Sequence, residues 1–310
     1  MSSISIMFLG GAKRVSMARR FKEAAAGLGI DCRIFSYELS NKEPIACEAE
    51  VIVGRRWKDP EVDADLRRII AENDIRIVVP FVDGAVAVAA RLADAVFVPS
   101  GSPEQAEAMF DKVAAARLFE KARLAVPRTF RGSFDCQRYI AKPRHGSASK
   151  GIVVCESVAQ VGELAATGDY LIQEYIADRE EYTVDCYASV ASEQLLVACP
   201  RRRVEVIGGE VFRTVTVRDE AIESLAAAAV TRLGLRGAVT VQILRDRADG
   251  RLMIMEINPR LGGGAVCSVA AGADIPGLIL REACGLPLEA PQWRAGVEIA
   301  RYPAEVVFYN

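Results

Sequence analysis

The chain has 310 residues, 51% of them hydrophobic and 26% charged, an ordinary balance for a soluble globular protein. At about 150 residues per domain, that length predicts roughly two domains, and the composition argues against a disordered chain. Thirty-nine basic against 41 acidic residues leave a net charge of −2, so charge offers no case for a nucleic-acid or membrane-surface partner.

The eight cysteines lie far apart or singly inside apolar runs, with no C-x-x-C pair, and His145 is the single histidine. A zinc site has almost no material, and free thiols in a reducing compartment are the expectation. The N-terminus places its apolar run before its basic residues, the reverse of a secretory signal. No stretch reaches the ~18 uncharged apolar residues of a membrane span. The expected location is the cytoplasm.

In chain order, residues 4–9, 32–37, 51–53, 75–80 and 96–98 are continuous apolar runs, the pattern of strands buried on both faces of a parallel sheet. Between the first two, Val15, Ala18, Phe21, Ala25 and Leu28 recur at helical spacing. The β-α-β order predicts an open α/β domain. Gly10-Gly11 follows the first strand, but the G-x-G-x-x-G dinucleotide fingerprint is absent. Ser102-Pro103-Glu104-Gln105 reads as a capping box, and Asp111-Lys112 as the start of a second helix running through Leu124 to Pro127. Strands follow at 139–142, 152–155, 170–176, 181–190 and 194–201, with helical patterns scarce until 220–233. The domain boundary falls near residue 111.

Three segments carry chemistry. Lys142 ends a strand before the Gly/Ser segment 146–151, whose backbone N–H groups could approach phosphate oxygens; a hairpin with a solvated lysine is the other reading. Gln173-Glu174-Tyr175-Ile176, with Glu181 beyond, could offer backbone to an adenine edge and a carboxylate to a ribose, or be a structural strand pair. Third, residues 252–257 and 238–244 form a hairpin around Ala248-Asp249-Gly250, with Gly250 left-handed. Pairing Arg247 with Arg251 sets Gln242 opposite Glu256, and Asn258 shares the face of Glu256. Those oxygens are the hard-ligand set that magnesium takes.

Lys112 after Asp111, Lys142, Gln-Glu-Tyr-Ile then Glu181, and Gln242…Glu256-x-Asn258-x-Arg260 occur in the order seen in ATP-grasp enzymes. Across essentially its whole length the chain resembles a single ATP-grasp half of the carbamoyl-phosphate synthase large subunit. It is also similar to the pyrrolysine-pathway ligase, and more distantly to D-alanine–D-alanine ligase and biotin carboxylase. The resemblance implies an open parallel α/β pre-ATP-grasp domain (residues 1–110) before a two-lobed ATP-grasp domain. The small lobe with its lid loop would span 111–176, and the large lobe with the metal site 177–310.

The resemblance also implies roles. Lys112 and Lys142 would hold the ATP phosphates, with Ser147, Ser149 and Gly151 in the loop closing over them. Glu174, Tyr175 and Ile176 would line the adenine pocket, and Glu181 would bind the ribose. Gln242, Glu256 and Asn258 would hold Mg²⁺ or Mn²⁺, and Arg260 would face the transferring phosphoryl group. Gln242 stands where many relatives have a carboxylate.

The implied activity is an ATP-dependent ligase joining a small-molecule carboxylate to an amine through an acyl phosphate, on amino-acid-like substrates, with homodimerisation left open. Carbamoyl phosphate is not the expected product, because the chain ends soon after the grasp domain. On the substrate side, Arg201 and Arg203 could clamp a carboxylate or lie on a solvated sheet edge. Gly263 belongs to a glycine run that a substrate could approach tightly. Residues 10–14 and Asp83 follow strands, where ligands of open α/β sheets bind; Asp83 could meet a substrate ammonium or cap its helix. A non-catalytic ATP-binding regulatory module and a nicotinamide-dependent oxidoreductase are the competing classes.

Overall fold

The computed structural model describes residues 3–132, 136, 138–146 and 150–309. Strands β1 (Ser3–Leu9), β2 (Asp31–Glu38), β3 (Glu50–Val53) and β4 (Ile75–Pro80) form a parallel sheet in the order β3-β2-β1-β4. Successive side chains of a strand alternate between faces. Ile4, Ile6 and Phe8 therefore pack with Met17 and Phe21 of α1 (Val15–Gly27). Met7 and Leu9 pack with Leu66 and Ile69 of α2 (Val62–Glu72) and Val88 of α3 (Asp83–Ala90). Each fully buried side chain of this size contributes about 2–3 kcal/mol by leaving water. The strand expected at 96–98 is reduced to a bridge between Phe97 and Ile77.

Helix α4 (Pro103–Phe110) starts on the Ser102–Gln105 capping box. In α5 (Lys112–Lys121), Asp111 accepts hydrogen bonds from the N–H groups of Val113 and Ala114. The helix stops before Leu124, because Arg123 turns left-handed (φ 54°) and Arg232 donates to the freed carbonyls of Ala122 and Arg123. An antiparallel three-stranded sheet follows, with β5 (Tyr139–Pro143) between β6 (Val153–Cys155) and β7 (Tyr170–Glu174). Helix α6 (Val158–Thr167) covers it, contrary to the strand-only expectation. Val161 is the one fully buried residue of α6, so its apolar stripe is too thin to read by period.

The remaining strands are β8 (Arg179–Ala188), β9 (Leu195–Ile207), β10 (Glu210–Thr216), β11 (Gly237–Asp246), β12 (Leu252–Asn258) and β13 (Glu298–Ala300). They form one antiparallel sheet in the order β12-β11-β8-β9-β10-β13. One face is apolar: Val184, Val241, Ile243 and Ile254 pack on Ile222, Ala226 and Val230 of α7 (Glu220–Arg232). The residues between them carry a polar set on the opposite face. Helix α8 (Val266–Ala270) precedes α9 (Ile275–Ala283), whose Ile275, Leu278 and Ile279 share a core with Phe21 of α1 and Tyr187 of β8. This shared core seats the parallel sheet against the large one and leaves a crevice between their polar edges.

The β11–β12 hairpin corrects one expectation. The turn pairs Asp246, not Arg247, with Arg251, and Gly250 is left-handed as expected (φ 78°). The register then shifts between Gln242 and Ile243, because Met255 is an extra residue on β12. The shift restores the pairing of Gln242 with Glu256 and of Thr240 with Asn258.

Candidate active site

The polar face of the large sheet brings Gln242, Glu256 and Asn258 together on adjacent strands. Asn258 is buried and Glu256 half-buried. The Glu256 carboxylate makes no hydrogen bond or ion pair with any described residue. A half-buried carboxylate without a partner is free to take a cation. Gln242 Oε1 accepts from Arg203 Nη1 at 3.2 Å. Among the described residues no three His, Cys, Asp or Glu side chains converge. A metal here would rest on one carboxylate and amide oxygens, a hard set that fits Mg²⁺ or Mn²⁺ and does not fit zinc.

On the small sheet, Lys142 stands next to the end of β5 with its Nζ donating to Gln173 Oε1 at 3.0 Å, and Gln173 donates in turn to the carbonyl of Pro127. Burial pushes the Lys142 ammonium down to about 8; Lys112 and Arg179 push the same way, and the carboxylates of Glu256 and Glu181 oppose them. Lys112 Nζ donates to the carbonyl of Gly146 at 2.6 Å, and its backbone N–H to that of Arg144. Both lysines thus stand at the root of the Gly/Ser segment. Ser147 and Ser149 lie outside the described residues. Gly151 is exposed.

The Glu174 carboxylate is fully engaged. It accepts from the backbone N–H and Nε of Arg128 (each 3.0 Å) and from Nη1 of Arg251 (3.0 Å). Burial would raise its pKa, but these bonds win and hold it below the usual carboxylate range. Its side chain therefore braces the strand, and only its backbone can face a ligand. Arg138 and Arg179 flank the Tyr175 ring at 4.9 and 5.6 Å. Ile176 is buried with Leu244 and Met253, beside Met255. The Glu181 carboxylate takes Arg179 Nε at 3.0 Å and Arg203 Nη1 at 3.2 Å, on the wall of a polar cleft of ≈ 610 Å³.

Arg203 and Gly209 join that cleft to a second, of ≈ 460 Å³, between the parallel sheet and the large one. There Arg260 reaches across to Asp83 of α3, beside the parallel sheet, with Nε and Nη2 each 2.5 Å from the carboxylate. Asp83 is the first residue of α3 and makes no capping bond, so the cap reading is wrong. The solvated-edge reading of Arg201 and Arg203 also fails, because β9 lies inside the sheet and runs on through the arginines to Ile207. Arg201 is 2% exposed; its Nε donates to Asp185 at 2.8 Å, and Ser268 Oγ donates to the same carboxylate at 2.6 Å. Among the described residues its Nη1 has no hydrogen-bond partner, and neither has Nε of Arg203. Removal from water lowers the Arg203 pKa, partly offset by Glu181. Gly263, with Gly262 and Gly264, lines the same cleft.

Sequence reasoning missed three residues in or beneath the cleft. Asp185 continues the polar stripe Glu181–Thr183 at period two, a signal available in the sequence. Arg14 lies in the segment singled out for its place after β1, but its direction depends on the fold. Arg301 enters from beyond β13, and no local pattern marks it.

The fold is the ATP-grasp fold, shared with the solved structures below. Residues 166–304, a little under half of the chain, match the family model described as ATP-grasp in the biosynthetic pathway with Ter operon. The carbamoyl phosphate synthase large chain of Clavibacter michiganensis subsp. michiganensis is 26% identical over 143 residues, which are 43% of this chain and 13% of that protein. The match thus spans about an eighth of the curated relative's length. An ADP complex of N5-carboxyaminoimidazole ribonucleotide synthetase superposes with a TM-score of 0.73 at 19% identity, covering 95% of this chain and 81% of that one. Biotin carboxylase from Campylobacter jejuni gives 0.72 at 16% identity, covering 93% and 73%. No helix among the described residues is long and apolar enough to cross a membrane.

Proposed function

We propose that the protein is an ATP-dependent carboxylate–amine ligase working through an acyl phosphate on amino-acid-like acids. The observation that carries this reading is the placement of Glu256, Asn258 and Gln242 on one sheet face, between Lys142 and a cleft lined by Arg260. In this reading residues 1–110 supply one cleft wall, 111–176 the small lobe and 177–310 the large lobe.

A substrate carboxylate oxygen attacks the γ-phosphorus of ATP, the bond to the β–γ bridging oxygen breaks, and ADP leaves. The amine nitrogen then attacks the acyl carbon, the carbon–oxygen bond to phosphate breaks, and the amine gives up a proton as the amide forms. A divalent metal on Glu256, Asn258 and Gln242 would neutralise phosphate charge. Lys112 and Lys142 orient the triphosphate from the small lobe, with the backbone of Glu174 to Ile176 at the adenine and Glu181 at the ribose. Arg260 meets the charge that develops on the transferred group. No protein nucleophile is required, since positioning and electrostatics provide the rate.

Hydroxylamine in place of the amine tests the mechanism. With an acid from an amino-acid panel, ATP and magnesium, a hydroxamate and ADP should form in equal amounts. A phosphorylated protein without hydroxamate would overturn the acyl-phosphate route. Nucleotide binding with no acid-dependent ADP release would instead indicate a regulatory module.

A further inference from the structure

The cleft between the two sheets holds more positive charge than the reaction explains. Asp83 pairs with Arg260, Glu210 with Arg301, Asp185 with Arg201 and Glu181 with Arg203. Arg14, which also lines the cleft, makes no side-chain hydrogen bond or ion pair with any described residue. Its backbone is pinned instead, its N–H donating to the carbonyl of Gly11 at 2.6 Å. The side chain leaves α1 and runs to the glycine run after Arg260. A Cβ on Gly263 would stand 2.9 Å from Arg14 Nη1 and 3.0 Å from Arg301 Nη2. Next to it, a Cβ on Gly264 would meet the partnerless Nη1 of the buried Arg201 at 2.6 Å. Three guanidinium groups thus crowd a backbone that carries no side chain to separate them.

A partly buried cation beside two others costs stability unless an anion joins them. Loss of water, then the charges of Arg260 and Arg301, push the Arg14 guanidinium down to about 10, while Glu210 and Asp83 oppose them. Arg260 follows the metal-type donors directly and in the proposed mechanism serves the transferred phosphoryl group. Gly263 and its guanidinium neighbours lie three residues further on, supplied partly by the first domain. We propose that the substrate acid carries a second anionic group, a carboxylate or a phosphate, bound by Arg14 together with Arg301 and Arg201 Nη1 at Gly263–Gly264. This deepens the ligase reading and rests on it for the direction of the reacting carboxylate.

Calorimetry on the full chain tests the proposal at constant ionic strength. The probes are malonate, succinate, glutarate and adipate, each against its own monoamide, and O-phosphoserine against serine. In at least one pair the dianion should bind about tenfold or more tightly, as a charge-assisted guanidinium contact requires. That preference should fall below about threefold in Arg14→Ala and return in large part in Arg14→Lys, which keeps the charge. The series in which it appears identifies the anion as carboxylate or phosphate. No preference in any pair, or a preference that survives Arg14→Ala, overturns the proposal. If the preference is present but no acid ever promotes ADP release, the ligase reading fails and the anion site stands.

Discussion

The Asp83 carboxylate of α3 lies 2.5 Å from Nε and Nη2 of Arg260, 177 residues away at the end of β12. The pair holds the guanidinium from the side of the first domain, while Asn258 Oδ1 (3.5 Å) and the carbonyl of Leu261 (3.2 Å) hold it from its own. The guanidinium is thereby held in place, as the role proposed for Arg260 requires. Both side chains keep some exposure, 16% for Arg260 and 27% for Asp83. Asp83→Asn should therefore cost about 1–2 kcal/mol in urea unfolding, between exposed and buried pairs. Arg260→Ala should lower hydroxamate formation about 10²-fold or more while ATP still binds.

Glu256→Gln and Asn258→Ala should each lower acid-dependent ADP release by about 10²-fold or more at saturating magnesium, because donors to the metal and triphosphate are lost. Since Glu256 has no partner among the described residues, its neutralisation should leave the melting temperature unchanged or raised. Wild-type turnover in either variant would remove these residues from the metal site.

Lys142 should make nucleotide affinity depend on pH. Its folded pKa of about 8 lies below the ordinary 10.5, so the free protein loses that proton as pH rises through 8. Phosphate binding needs the charged form, so ATP affinity should fall by up to about tenfold per pH unit above 8. Calorimetry in buffers of different ionisation enthalpy should show proton uptake on binding near pH 8. The uptake should vanish in Lys142→Arg. For stability the sign is opposite to that of a paired lysine: the folded chain binds fewer protons than the unfolded one between pH 8 and 10.5. This group's unfavourable contribution therefore relaxes as pH rises through that window.

Gly264→Ala should destabilise the protein by about 1–3 kcal/mol and lower activity, because the new methyl would stand 2.6 Å from Arg201 Nη1. Arg201 is locked to Asp185 and cannot swing away. Gly250→Ala meets nothing within 4 Å and strains only the hairpin turn (φ 78°), so activity should survive it. Chemical denaturation and hydroxamate assays on both variants separate crowding at the cleft from backbone strain.

Much of the fold was legible because burial leaves local patterns. The continuous apolar runs of β1, β2 and β4 marked a two-sided parallel sheet, and the Ser102 capping box marked the start of α4. Helix α6 escaped because so little of it is buried, and β9 escaped beyond Arg201 because consecutive arginines look solvated. In the sheet they are divided: Arg201 is buried against Asp185, Arg203 is nearly so, and Arg202 points to the opposite face, pairing with Tyr182 and Val215 in register.

The grouping of Gln242, Glu256 and Asn258 could be read from the chain because strand parity carries it. A turn one residue off and an extra Met255 cancel, leaving the same face toward the cleft. Parity acts within a hairpin and needs no distant contact. The partners of those residues are another matter. Asp83 on Arg260 and the approach of Arg14 to Gly263 join the parallel sheet to the antiparallel one, and no local period encodes such a meeting. They arise because α9 buries Ile275 and Ile279 in the same core as Phe21. That packing sets the parallel sheet at one distance from the antiparallel one, and so determines which charges end up facing each other across the cleft.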